Sequence, residues 1–135
     1  PGETARAARL EAAIGLARRV PPQVEAGLAS TWLARQLAGP QPAGVRRVVF
    51  HSMVLQYAAP AERAAIDAAL ALAGAVASPD RPIARVGIEW RADRKVVEIR
   101  ISEWNGRDRG GVSRLAAVCH PYGEWIEWHG LRGLA

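Results

Sequence analysis

The chain has 135 residues, half of them hydrophobic and 23% charged, which is the balance of one packed domain and excludes a disordered polymer. Its net charge of +5 and pI near 10.6 bring nucleic acid into consideration, yet the cations are nearly all arginines scattered along the chain, with Lys95 the sole lysine. A solitary Cys119 excludes an internal disulfide and a multi-cysteine zinc site, and no apolar run reaches the roughly 20 residues of a membrane-spanning helix.

The opening residues, PGETARAARLEAA, read as an amphipathic helix and not as a signal peptide, so cytoplasm is the expected location and no membrane partner is expected. Over 3–19 the apolar groups Leu10, Ala13, Ile14 and Ala17 recur at helical spacing, and Pro21-Pro22 stops the helix. QVEAG at 23–27 is predicted as a short strand ended by Gly27. Ser30 then supplies an N-cap, Trp32, Leu33 and Leu37 make one apolar helix face, and Gly39-Pro40 closes it. A loop leads to a strand over 45–50, which runs into His51-Ser52 and a second apolar run ending at Tyr57.

After Tyr57 comes the clearest helix. Pro60 occupies its first turn, Glu62 complements its positive end, and Ile66, Leu70, Ala73 and Val76 form the stripe to be buried. From 83 the period becomes two: Ala84, Val86, Ile88 and Trp90 alternate with Arg85, Gly87 and Glu89, and Val97, Ile99 and Ile101 with Glu98, Arg100 and Ser102. Leu115, Ala117 and Cys119 follow NGRDRGG, and a Pro-Tyr-Gly turn leads into EWIEW. This order predicts an α/β domain of three layers, a Rossmann-like partial sheet whose parallel strands are followed by an antiparallel meander at one edge. None of the glycines forms G-x-G-x-x-G, so the phosphate loop of a doubly wound sheet is absent. A start at Pro1 without methionine is what the carboxyl-terminal part of a longer protein would show, and residues 1–135 are expected to form one domain of it.

His51 and Ser52 fall at the carboxyl end of an expected parallel strand, the rim where open α/β sheets hold ligands. His51 could act as a general base and Ser52 could position a polar ligand, or both could simply end a buried strand. Glu89 would lie near His51 on the next strand. It could orient the imidazole, although pairing with a nearby arginine is the favoured reading. Gln56 and Tyr57 either face the crevice or pack. For Cys119, His120 and His129 no metal site is expected: adjacent residues of a strand point to opposite faces, so Cys119 is assigned to the core and His120 to the turn. Trp90, Trp104, Trp125 and Trp128 could stack on bases beside Arg85, Arg100 and Arg114, but filling the space under covering helices is the favoured role.

Two stretches carry a resemblance. VVFHSMVLQYAAPAERAAIDAAL and CHPYGEWIEW resemble the bacterial family catalogued as domain of unknown function 2332, over most of the chain. That family is similar in layout to S-adenosylmethionine-dependent methyltransferases, whose Gly-rich loop would lie in an amino-terminal half outside this chain. The resemblance implies no cofactor for this chain alone and S-adenosylmethionine for the full-length protein, with QVEAG, VRRVVF and IARVGIEW as third, fourth and fifth strands. It makes His51, Ser52 and Glu89 the substrate-side residues and Gly27 and Tyr57 the cofactor-side ones. Here Leu28 follows Gly27 where the family often has an acidic residue, and RADR replaces the helix after the fifth strand. The implied partners are a small-molecule substrate and either the missing half or a second copy. The alternatives are a non-enzymatic module that binds nucleic acid through arginine and tryptophan, and an inactive truncated domain.

Overall fold

A computed structural model describes residues 2–107 and 110–130. Its helices are α1 (Gly2–Arg19), α2 (Ala29–Ala38) and α3 (Pro60–Ala75), with a short 3-10 turn at Leu55–Tyr57. The strands are β1 (Arg47–Ser52), β2 (Ile83–Trp90), β3 (Val97–Trp104), β4 (Arg114–Cys119) and β5 (Ile126–Trp128). They form one open sheet in the order β1-β2-β3-β4-β5. The β1–β2 pair is parallel, joined through α3, and every later pair is antiparallel. The molecule is a mixed α/β fold with a meander, as the change of period at 83 indicates.

Two expectations about the sheet are corrected. Residues 23–27 are a loop and not a strand, so among the described residues the parallel part is a single pair. Val24 is 86% exposed and finds no neighbouring strand among the described residues, while Glu25 turns forward to accept from Trp32 Nε1 at 3.1 Å and to pair with Arg35. Those two donors hold the Glu25 carboxyl below its ordinary range. The second correction concerns layers. Leu33 and Leu37 of α2 join Ile66 and Leu70 of α3 against Ile83 of β2 in one core, whereas α1 buries no side chain. Among the described residues, helices therefore bury side chains on one face of the sheet.

Opposite charges clamp α2 at its two ends. Ser30 is not its N-cap, since the cap position is Leu28 and makes no side-chain bond. Instead Glu62 reaches across from α3 and accepts from the Ser30 amide at 2.7 Å and the Ser30 hydroxyl at 2.8 Å. At the other end Arg47 of β1 donates to the carbonyls of Leu37, Gly39 and Pro40 at 2.8 to 3.0 Å, which suits a cation at a helix carboxyl terminus. The stripe on α3 is shorter than expected: Ile66 and Leu70 are buried, Ala73 packs against them, and Val76 is exposed.

Trp104, at the end of β3, fixes α3 to the sheet. Its indole occupies a slot made of glycines, so that a Cβ at Gly74 would fall 2.1 Å from Cδ1 and one at Gly111 2.6 Å from Nε1. This tryptophan fills space beneath a helix, the favoured reading. The β3–β4 ladder shifts register between Ile99 and Arg100, and Gly123, at φ 72°, turns the chain into β5.

Candidate functional site

Strand pairing brings polar groups together around a missing side chain. His51 lies level with Gly87 of β2, and Gly87 level with Arg100 of β3. Because alternate residues share a face, Arg85, Gly87 and Glu89 join His51, Arg100 and Ser102 along one surface. That surface floors a cleft of about 570 Å³ that continues to Asp67 and Leu70 of α3. The cleft lies beside the carboxyl end of the parallel pair. β1 runs to Ser52, two residues past the expected end at 50, so His51 is inside the strand.

The imidazole lies over Gly87 with both nitrogens engaged. Arg85 Nε stands 2.9 Å from His51 Nε2, and His51 Nδ1 stands 2.8 Å from Glu89 Oε1. A guanidinium N–H only donates, so Nε2 accepts, and the ring proton assigned to Nδ1 is given to Glu89. The ring is therefore uncharged as bonded and offers no free lone pair. Glu89 Oε1 also accepts from the amides of Val54 and Leu55, each at 3.2 Å. Met53 makes this possible: its φ of 53° turns the chain sharply as it leaves β1, and its own amide donates to Ile88 O at 2.8 Å. Beyond His51, Arg85 Nη1 donates to Asp67 Oδ1 at 2.6 Å, and Asp67 is largely exposed. A continuous chain of bonds thus runs Glu89–His51–Arg85–Asp67. On the same floor Arg100 Nε donates to Glu98 Oε2 at 2.7 Å.

The residues singled out in the sequence do not all gather here. His51 and Glu89 do, and Glu89 serves the imidazole and not an arginine, which reverses the favoured reading. Ser52 points to the opposite face, the exposed side that it shares with Val48 and Phe50. Tyr57 is 82% exposed and does not line the cleft. Gly27 sits in the loop before α2, with no atom near its open side. Gly87 and Asp67 are not among the residues the sequence singles out, and Arg85 is there only as a partner of the tryptophans and not of His51. The signal was the run Arg85-x-Gly87-x-Glu89, three non-apolar positions on one side of a strand otherwise read for its hydrophobic row.

Other candidates resolve locally. Cys119 is buried, which pushes its thiol upward, away from ready ionisation. His120 Nδ1 accepts from the Tyr122 amide at 3.3 Å within the Pro-Tyr-Gly turn. Among the described residues no group of three or more His, Cys, Asp or Glu is placed to hold a metal ion, and no helix is long and apolar enough to cross a membrane. Several arginines are engaged one at a time: Arg6 with Glu124, Arg46 with Glu103, Arg81 with Gln41 O, and Arg91 with Asp93. Arg109 lies outside the described residues.

The model of a family described as "Uncharacterized protein conserved in bacteria (DUF2332)" matches residues 1–128. No curated protein and no solved structure matches the chain.

Proposed function

We propose, from the premise that the chain belongs to this family of uncharacterised bacterial proteins, that the cleft over Gly87 is its small-molecule site. The observation that carries this reading is the bonded chain from Glu89 through His51 to Arg85, laid across a glycine beside the carboxyl end of the parallel pair. An imidazole with both nitrogens committed is a positioning group. It fixes the guanidinium over the cleft, and Glu89 Oε2, which has no partner among the described residues, is the carboxylate oxygen beside the imidazole that can take a proton there.

The wider reading, the substrate-side half of a Rossmann-like, S-adenosylmethionine-dependent methyltransferase-like protein, is supported by the β1–α3–β2 unit and by where the cleft lies. In that reading Gly27, Tyr57 and the cofactor belong to a neighbouring region, the cofactor being held chiefly by a half outside this chain. Amide chemical shifts followed during titration with a library of small molecules test the first part. Binders should perturb His51, Arg85 and Gly87 together, and binders that move only residues elsewhere would remove the proposal. For the second part, calorimetry of this chain with S-adenosylmethionine should show no tight binding, and a tight complex would refute the division of labour. A nucleic-acid module is the second reading, favoured by Arg9, Arg18 and Arg19 on the exposed α1, none of which makes an ion pair among the described residues. It requires an affinity for DNA or RNA that falls steeply with added salt.

A further inference from the structure

We infer that the ligand of this cleft carries an oxyanion, carboxylate or phosphoryl, attached to an apolar body, and that Asp67 occupies the oxyanion's place on Arg85 until it arrives. The inference rests on the cleft being the ligand site and names what it takes. Arg85 is held by His51 through Nε alone, which locks the plane of the guanidinium and leaves its far edge, Nη1 and Nη2, directed away from the imidazole. On that edge Nη1 meets Asp67, and Nη2 has no acceptor among the described residues. Two parallel N–H donors on one edge match the two oxygens of a carboxylate or phosphoryl group.

The present occupant is easily displaced. The Asp67 side chain is 63% exposed and that of Arg85 21%, so the contact joins a fixed cation to a solvated anion on the helix surface. It bonds to one nitrogen of the edge, whereas an incoming oxyanion can take two. Arg100 stands on the same floor, one row beyond Arg85, but it is paired through Nε with Glu98, so Arg85 is the guanidinium whose far edge an oxyanion meets first. The apolar body would lie on the other wall, formed by Leu55, Leu70, Ala71 and the edge of Trp104. Glu89 is set apart from Arg85 by the width of the imidazole, its Oε1 accepting from two backbone amides and the ring proton.

The test uses benzoate, phenyl phosphate and neutral benzamide as probes, followed through the amide resonances of residues 51, 85 and 87 at low ionic strength. Benzoate, phenyl phosphate or both should bind more tightly than benzamide, and which of the two anions is preferred identifies the oxyanion. Asp67→Asn should tighten anion binding by roughly fivefold, the scale on which an exposed ion pair competes, and should leave benzamide unchanged. Glu11→Gln on α1 makes the same change in net charge and should not alter either. Arg85→Gln should abolish the preference for anions. Added salt should weaken anion binding in every variant that retains Arg85. If Asp67→Asn and Glu11→Gln act alike, or benzamide binds as well as benzoate, the oxyanion inference is wrong while the cleft survives. If none of the probes reaches residues 51, 85 and 87, the cleft itself is wrong as the ligand site.

Discussion

A methyl group on Gly87 would sit 2.7 and 2.8 Å from Cε1 and Nε2 of His51, closer than carbon atoms approach one another. The ring cannot move aside freely, because Arg85 holds one nitrogen and Glu89 the other. Gly87→Ala should therefore cost about 1–3 kcal/mol in chemical denaturation, the range for overpacking a filled site. It should also change the ring resonances of His51, and a variant as stable as the parent with those resonances unmoved would mean that the imidazole does not lie on the glycine. Met53 takes the opposite part, since its φ of 53° places a side chain where few residues put one. That conformation aims the amides of Val54 and Leu55 at a single carboxylate oxygen, so local strain and the fixed charge of Glu89 share one cause. Cys119 shows the reverse of a functional setting: it is buried, and burial alone raises its thiol.

At the scale of elements, α2 and α3 are coupled through a carboxylate that belongs to one and serves the other. Glu62 titrates below its ordinary value of 4.5, chiefly because the Ser30 amide donates to the ionised form, with the Ser30 hydroxyl adding to it. A carboxyl lowered in the folded state stabilises the fold above its unfolded value and loses that contribution as pH falls through the lowered one. Glu62→Gln should accordingly lower the melting temperature near neutrality, and the difference from the parent should close as pH drops below about 4.5. A difference that persists undiminished in acid would assign the effect to packing. Gly74 offers a second check. A glycine in an exposed helix is improved by alanine by about 1 kcal/mol, but here the new methyl meets the Trp104 indole. Gly74→Ala should thus destabilise, by about 1–3 kcal/mol, and a stabilised variant would show that α3 is not seated on Trp104. Much at this scale was legible: Pro60 at a first turn, Gly39 at a helix end and alternation from 83 onward are local signals, and each lies where the pattern put it. Residues 23–27 carry a strand's pattern and still form a loop because a strand also requires a partner, and among the described residues Val24 has none. The cap at Ser30 was misread because its satisfaction comes from Glu62, thirty-two residues away.

For the whole molecule, what the sequence left open was which face of the sheet the helices take. Alternation establishes that Arg85, Gly87 and Glu89 lie together, but only tertiary packing puts them on the same side as the core of Leu33, Ile66 and Leu70. The result is an asymmetric sheet. One face carries the core at one end and the cleft at the other, while the opposite face shows Val48, Phe50, Ile126 and Trp128 each more than half exposed. The same asymmetry separates His51 from its neighbour Ser52, so a pair that is adjacent in the chain belongs to different surfaces. The His51 imidazole is a neutral link between Glu89 and Arg85, with its proton on Nδ1. The nitrogen-15 spectrum of the His51 ring at about pH 8 reads this directly, since it distinguishes a protonated from an unprotonated ring nitrogen. The expected result is a protonated Nδ1 and an unprotonated Nε2, reversed or averaged in Arg85→Gln. A proton found on Nε2 in the parent protein would contradict the link to Arg85, and with it the account of the cleft.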